Sequence, residues 1–209
     1  MTRFWADMRR VPLLFCFAAA LALAGCAAGV YPPGGMPAPE TPNAVRLTTE
    51  KDGRFLVLTG PRLRHADPFL GIAATNFYLL RSFIDTRTGE TVHQLYVEDS
   101  YPGAERNWNA ARLASGGGLR FVTISKNEIT CELNCSYAEE FAASLPEPLL
   151  RGSAQGFTIV FTARSGIEKM IVVPGDAIAK QLAAVDQARA ARPTAAAAPS
   201  AAPPPAPPR

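Results

Sequence analysis

Short apolar stretches separated by turn residues fill the chain between residues 44 and 191. Asp52-Gly53, the segment 86–90 (TRTGE) and the segment 164–166 (RSG) each lie between two such stretches, and turn residues in that position indicate β-hairpins. A succession of hairpins predicts a mainly β fold, built as an antiparallel, sandwich-like single domain. The predicted strands cover residues 45–49, 55–60, 78–85, 91–98, 119–125, 156–163 and 167–174.

A helical pattern is clearest at the end of this region. Residues 177–191 (AIAKQLAAVDQARAA) place Ile178, Leu182 and Val185 on one face, which predicts a C-terminal α-helix packed on the sheet. We expect Asp176 to cap this helix through its side chain, and its spacing to Lys180 suits an i,i+4 ion pair.

Two further segments carry weaker signals. Residues 105–115 predict a short helix. Residues 136–145 allow two interpretations, because Ser136 and Glu139 could form a helix capping box, whereas the aromatic and apolar residues would share one face of a strand. We favour a strand that ends before Pro146.

Biased segments flank the globular region on both sides. Residues 27–43 contain five prolines and three glycines, and residues 193–209 contain seven prolines and seven alanines. Such composition suits neither helix nor sheet interior. The chain therefore divides into a tether at 26–43, a domain at 44–191 and a disordered tail at 192–209, which either is a plain tail or docks on an envelope partner.

The first 25 residues have the character of an export signal. Arg3, Arg9 and Arg10 precede an uncharged run of 14 residues at 11–24. That run would be about 21 Å long as a helix, whereas a bilayer core needs roughly 20 apolar residues. A signal peptide at 1–25 is therefore predicted, with a retained membrane helix as the alternative.

The end of this run, Leu23-Ala24-Gly25-Cys26, resembles the lipobox of bacterial lipoproteins. The resemblance implies cleavage before Cys26 and attachment of fatty chains such as palmitate to it, and two or more chains make a stable anchor. Ala27 in place of Asp implies sorting to the outer membrane, with the domain on the periplasmic face. The chain is similar to small Gram-negative lipoproteins of unassigned function, a resemblance that implies an address and a fold but no activity.

Removal of the signal would change the charge balance. The whole chain has 21 Lys and Arg against 18 Asp and Glu, and residues 1–25 hold three of those arginines and one of those acids. The mature chain would therefore carry 18 against 17, a net charge of +1. A charge so near zero argues against nucleic acid as a partner.

Two cysteines remain in the predicted domain, Cys131 and Cys135. In an oxidising compartment such a pair favours a disulfide. Free thiols and a metal site are the alternatives, but two thiols without a nearby His make a poor zinc site. We predict the disulfide and no metal.

No combination of residues predicts a catalytic site. The two histidines, His65 and His93, lie in a polar loop and in a predicted strand, and no nucleophile-elbow, zinc-protease or phosphate-loop motif accompanies them. Glu98 and Asp99 are adjacent on a strand, so they point apart and form no acid pair. We therefore assign no catalytic residue and no cofactor, and we place a possible binding surface at His65, Asp67, Tyr101 and Trp108.

The sequence thus favours a lipid-anchored, non-enzymatic protein that binds or scaffolds another envelope component. Its expected partners are the membrane, through the N-terminal lipid, and an envelope protein or cell-wall component. The alternatives are a carrier of a small ligand or metal, and a cell-envelope hydrolase that would use His65 or His93 beside a carboxylate.

Overall fold

The computed structural model describes residues 43–132 and 134–191. The predicted signal peptide at 1–25, the lipidation site Cys26, the tether up to residue 42 and the tail at 192–209 lie outside the described residues. Eleven strands and two α-helices are found within the described ranges. The strands are β1 Arg46–Thr49, β2 Phe55–Thr59, β3 Leu63–Arg64, β4 Phe77–Asp85, β5 Thr91–Pro102, β6 Trp108–Leu113, β7 Gly118–Leu119, β8 Phe121–Thr130, β9 Ser136–Leu145, β10 Gly156–Ala163 and β11 Glu168–Pro174; the helices are α1 Glu147–Gly152 and α2 Gly175–Ala190.

The strands form two antiparallel sheets, as the hairpin pattern predicts. The first has the order β1-β2-β4-β5-β9-β8, with β3 also paired to β4, and the second has the order β11-β10-β6-β7. The predicted hairpins β1–β2, β4–β5 and β10–β11 are all present. The mainly β, sandwich-like class with a C-terminal helix is therefore confirmed.

The core lies between the two sheets and under α2. On β9, Phe141 is 1 % exposed, and its ring contacts those of Trp108 and Phe161 at centroid distances of 5.5 Å and 4.9 Å. A second apolar cluster joins Val185 of α2 to Leu58 of β2 and completes the cover over the first sheet. One face of the seven-stranded sheet is thus packed, and its other face is turned away from the core.

The predicted helix at 105–115 is wrong, because this segment contains β6. Its buried side chains, Trp108 and Ala111, are three residues apart, a spacing that resembles a helical period. The register against β10 shifts between Thr162 and Ala163, so a bulge lengthens the normal two-residue repeat of a strand. The bulge therefore explains why the apolar pattern misleads here.

The C-terminal helix is confirmed, but its predicted cap is not. Pro174 occupies the cap position without a side-chain hydrogen bond, and Asp176 lies in the first turn. Asp176 instead pairs with Lys180 at 3.2 Å, and its charge suits the positive end of the helix dipole. Gly175 opens the helix where an added Cβ would lie 1.9 Å from the carbonyl oxygen of Ala154, so only glycine fits this approach.

The predicted strand at 136–145 and the predicted disulfide are both present. Ser136 and Glu139 belong to β9 rather than to a helix cap, and the strand ends at Leu145, before Pro146. Cys131 and Cys135 form a disulfide just ahead of β9. The bridge therefore joins the end of β8 to the start of its neighbour in the sheet.

Candidate functional site

The unpacked face of the seven-stranded sheet carries an open groove of about 380 Å³. Alternation along β4 sends Tyr78 and Leu80 into the core and leaves the side chains between them on this outer face. The aromatic side chains and most of the charged side chains that line the groove are Arg62, Phe77, Arg81, Phe83, Tyr96 and Glu140. We call this set the sheet groove.

Arginine–aromatic stacking organises the sheet groove. The guanidinium of Arg62 lies 4.6 Å from the centroid of Phe77, and that of Arg81 lies 4.8 Å from the centroid of Tyr96 and 5.3 Å from that of Phe83. Contacts of this kind are attractive because the ring faces carry negative potential. Arg81 also donates from Nε to Oε1 of Gln94 at 2.9 Å, which fixes the plane of its guanidinium.

The electrostatics of the groove are balanced rather than strongly of one sign. Burial lowers the pKa of Arg81, while the neighbouring Tyr96 and Glu140 act in the opposite direction. Burial also raises the pKa of Tyr96, with the charge of Glu140 adding to the effect, so its phenol stays neutral at physiological pH. The groove therefore offers guanidinium donors, carboxylate acceptors and aromatic surface together, which suits binding of a polar ligand with apolar faces.

Three of the four residues expected to form a binding surface lie together, but away from this groove. Tyr101 and Trp108 are only 2 % and 4 % exposed, and His65 is half-buried beside them. The fourth, Asp67, is exposed in the loop that follows His65. The two aromatic side chains are therefore inaccessible to a partner, whereas His65 and Asp67 keep exposed surface.

Asp99 is the centre of that cluster. Its carboxylate is 1 % exposed and accepts hydrogen bonds from Nη1 of Arg106 at 2.8 Å and from Nε1 of Trp108 at 2.9 Å. The ammonium of Lys169, on β11 of the other sheet, lies 2.9 Å from its second oxygen. The two cations and the indole thus compensate the burial of the charge, and they tie the two sheets together.

Glu139 lies on β9, opposite Asp99 of β5, and its carboxylate accepts hydrogen bonds from backbone N–H groups at the start of β6. It accepts from the backbone N–H groups of Asn107 at 2.9 Å and Trp108 at 3.1 Å, and from the hydroxyl of Tyr101. Asn107 has a φ of 55°, the left-handed region that asparagine tolerates better than most residues. The carboxylate therefore acts as a structural acceptor that holds the turn into β6.

The geometry assigns the proton position on His65. Its Nε2 lies 2.7 Å from the carbonyl oxygen of Glu98 and must donate, while its Nδ1 accepts from Nζ of Lys169 at 3.2 Å. The ring is therefore neutral. Burial lowers the pKa of His65, and the adjacent positive charge of Lys169 lowers it further.

His93 belongs to a series of polar contacts that contains the residue types of a hydrolase triad. Its Nδ1 lies 2.8 Å from Oγ of Ser82, and its Nε2 lies 3.4 Å from Oε2 of Glu147. Two bonds from Arg189 hold Glu147 at 2.9 Å and 2.8 Å, and these bonds lower the pKa of that carboxyl. Serine, histidine and acid are thus in contact.

In this set of contacts the serine hydroxyl is closed off from solvent. Ser82 is 0 % exposed, and its oxygen accepts a bond from Nε2 of Gln181 on α2 at 2.9 Å. His93 and Glu147 line an open groove of about 330 Å³, but Ser82 is not part of its wall. A nucleophile must reach the substrate carbonyl, and Ser82 does not in this position. The contacts do join α1 and α2 to the sheet.

Acidification is expected to destabilise the protein through the two histidines. Burial is the main cause that lowers the pKa of both His65 and His93 below 6.5, so the unfolded chain binds protons before the folded chain does. Their contribution is therefore fully present above about pH 7 and is lost as the pH falls through 6.5 towards the folded pKa values. Urea unfolding at pH 7.5 and pH 5.5 measures the loss.

The variants His65→Gln and His93→Gln provide the control for this pH dependence. Burial raises the pKa of Glu98, which contributes a change of opposite sign, so the wild-type slope alone is not diagnostic. Each variant should show a smaller loss of unfolding free energy on acidification than the wild type. An unchanged slope in the double variant would contradict the assignment.

Within residues 43–132 and 134–191, no cluster of three or more His, Cys, Asp or Glu side chains could hold a metal ion. None of the helices described there has the length and apolar character needed to cross a membrane. No family model matches the chain, and neither the curated proteins nor the solved structures gave a match.

The sequence pattern did not single out the sheet groove, although one signal was present. Along β4, both faces of the strand carry apolar or aromatic side chains, so Phe77, Leu79 and Phe83 lie opposite the core-facing set. A strand covered on only one face normally alternates apolar with polar residues. Aromatic side chains on both faces of β4 are therefore the sequence signal from which the groove could have been predicted.

Proposed function

We propose that this protein is a lipid-anchored binding protein of the Gram-negative envelope, held on the periplasmic face of the outer membrane by fatty chains on Cys26. The domain binds or holds another envelope component without chemical turnover. The observation that carries the binding role is the sheet groove, an accessible surface in which guanidinium groups stack on aromatic rings beside a carboxylate.

The proposed address rests on the N-terminal pattern. A basic start, a short apolar run and small residues before Cys26 match a lipobox, and Ala27 follows in place of an inner-membrane retention signal. The prolines and glycines of the tether at 26–43, which we also call the leash, then provide a spacer between anchor and domain. Such a leash suits a protein that must reach a partner while it stays at the bilayer.

The proposed absence of turnover rests on the contrast between the polar clusters. The buried sets around Asp99 and His93 use their hydrogen-bonding groups internally, and the hydroxyl that contacts His93, that of Ser82, is inaccessible. In the accessible sheet groove the hydroxyl of Tyr96 bonds to Glu140, but burial raises the pKa of that phenol, which keeps it protonated. The balanced charge of the groove favours a polar envelope protein or cell-wall component and disfavours nucleic acid.

Site-specific photo-crosslinking in the native host tests the binding role. A benzoylphenylalanine at Thr59, which lines the sheet groove, should give a discrete adduct. The same residue at Thr158, a half-buried threonine on the other sheet, is the matched control and should give none. Since Arg62 is exposed, Arg62→Ala should abolish the adduct at position 59 while the fold is retained.

Two results would contradict the proposal. Equal crosslinking from positions 59 and 158 would mean that the adduct reflects collision rather than a site. An adduct at position 59 that persists in both Arg62→Ala and Arg81→Ala would remove the arginine–aromatic surface as the recognition element.

A further inference from the structure

The loop between β3 and β4 displays apolar side chains to solvent. Leu70 is 74 % exposed, the highest value among the large hydrophobic side chains of the described residues, and Ile72 is 49 % exposed. Phe69 beside them is half-buried, and Ala73 and Ala74 are exposed. We call residues 68–74 the apolar loop.

Hydrogen bonds within the apolar loop and at its base hold its backbone in one conformation. The backbone N–H of Phe69 donates to Oγ1 of Thr75 at 2.8 Å, and the same hydroxyl donates to the carbonyl oxygen of Ile72 at 2.7 Å. Asn76 closes the base through a bond from Nδ2 to the carbonyl oxygen of Asp67 at 2.8 Å. The loop therefore holds its apolar tip outward in a defined shape.

Leu70 also has an uncommon backbone conformation. Its φ is 50°, in the left-handed region that costs free energy for residues with a Cβ, and Gly71 follows at 75°. A bulky apolar side chain that is both exposed and in this region gains nothing for the fold. A residue so placed indicates a role outside the fold.

Basic side chains lie at the base of the loop. Arg64 donates from Nη1 to the carbonyl oxygen of Thr75 at 3.2 Å and from Nη2 to that of Ala73 at 3.0 Å. A guanidinium has five N–H groups, so Arg64 keeps donors for an anion beside the loop. Arg62, two residues earlier, is also exposed.

We propose that the apolar loop docks the domain onto a phospholipid bilayer. Leu70 and Ile72 enter the boundary between headgroups and acyl chains, about 5–10 Å deep, while Arg64 binds anionic lipid phosphates. The occupant is the leaflet to which the chain is anchored. This inference concerns a surface other than the sheet groove and rests on the proposed function only in placing the domain beside a bilayer.

The size of the patch favours lipid over a protein partner. A stable protein interface buries about 800 Å² on each side, far more than the tip of one short loop can supply. A bilayer needs no complementary surface, because apolar side chains gain free energy simply by leaving water. Two side chains and an arginine are therefore enough for a weak contact.

The leash makes a weak contact effective. The 17 residues 26–42, which precede the first described residue, would span roughly 50 Å when extended. A domain of this size has a radius of gyration of about 15 Å, so the loop can reach the bilayer whichever face the leash leaves. Docking is then intramolecular, and a high effective concentration replaces high affinity.

Tryptophan fluorescence on the full-length protein, purified from membranes and reconstituted into vesicles, tests the docking. The vesicles contain phosphatidylethanolamine and phosphatidylglycerol, with or without brominated acyl chains. The wild-type emission is subtracted to isolate the signal of the new indole in Leu70→Trp. In vesicles this signal should lie at a shorter wavelength than in detergent, and brominated acyl chains should quench it. Met170→Trp is the matched control, because Met170 is 71 % exposed on β11, and it should show neither change.

Two companion variants make the docking assay decisive. Adding Ile72→Asp to Leu70→Trp should remove both the shift and the quenching, and adding Arg64→Gln should weaken them, most clearly in anionic vesicles. Absence of quenching at position 70, or equal quenching at positions 70 and 170, would overturn the inference. Because every variant shares the same N-terminus, differences among the variants report the loop and not the anchor.

Discussion

Asp99→Asn is expected to lower the free energy of unfolding by about 3 kcal/mol, because it removes a buried charge that two cations face. Arg106 and Lys169 would keep their positive charges at 2.8 Å and 2.9 Å from a neutral side chain in a site that is only 1 % exposed. The side chains have almost the same shape, so the loss reports charge rather than packing. Urea unfolding followed by circular dichroism at pH 7.5 measures it.

Glu168→Gln is the matched control for the buried charge. Glu168 pairs with Arg112 at 3.1 Å, but both side chains are close to half exposed, at 49 % and 45 %. Exposed pairs contribute about 0–1 kcal/mol, so this variant should unfold almost as the wild type does. Equal effects at positions 99 and 168 would contradict the view that Asp99 ties the two sheets together.

Phe141→Ala is expected to cost about 3–5 kcal/mol, the usual range for removal of a large aromatic side chain from a core. The ring is 1 % exposed and contacts Phe121 on the neighbouring strand β8 at a centroid distance of 5.7 Å, as well as Trp108 and Phe161 of the second sheet. A cavity between the sheets would remain, since the backbone of β9 is held by strands on both sides. Trp108 fluorescence during urea unfolding gives the midpoint directly.

Met170→Ala provides the comparison for this core substitution. The side chain lies on β11 but is 71 % exposed, so its truncation should change the free energy of unfolding by no more than about 0.5 kcal/mol. If Phe141→Ala proved as mild as Met170→Ala, the two sheets would not share the core described above.

Local signals explain why so much of the sheet structure could be predicted. Asp52-Gly53 and Arg164-Ser165-Gly166 mark tight turns, and the strands on either side then pair through local register. One side-chain contact could be predicted in the same way. The 86–90 turn sets the β4–β5 register, and this register places Ser82 opposite His93. Their hydrogen bond therefore follows from the pairing of the hairpin strands.

Side-chain contacts between residues that are distant in the sequence could not be predicted from local signals. Lys169 meets Asp99 and His65 only because β11 of one sheet packs beside β5 of the other, and no local pattern encodes that packing. Glu147, which contacts His93, and Arg189, which bonds to Glu147, are likewise far from His93 in the sequence. Sequence reasoning therefore named the titratable residues but not the neighbours that hold them in place.

The bulge in β6 shows a second limit. Trp108 and Ala111 have helical spacing only because an extra residue interrupts the strand, and the irregularity is set by pairing with β10. Tertiary pairing thus overrides a local periodicity. The same pairing buries Trp108, which removes it from the surface where a binding residue would be needed.

Binding and docking would divide the surface between two sites that β4 links. The sheet groove includes Phe77 at the start of β4, and the apolar loop ends at Ala74, three residues earlier. A contact between loop and bilayer would therefore set the height and direction of the groove above the membrane. On this account the leash permits reach, the loop fixes orientation, and the groove recognises the partner.

The mass of the N-terminal tryptic peptide from the membrane-extracted protein tests the central claim most directly. The account predicts a peptide that begins at Cys26 and carries a diacylglyceryl group together with an amide-linked acyl chain. A peptide that contains residues from 1–25, or one that begins at Cys26 without added lipid, would contradict it.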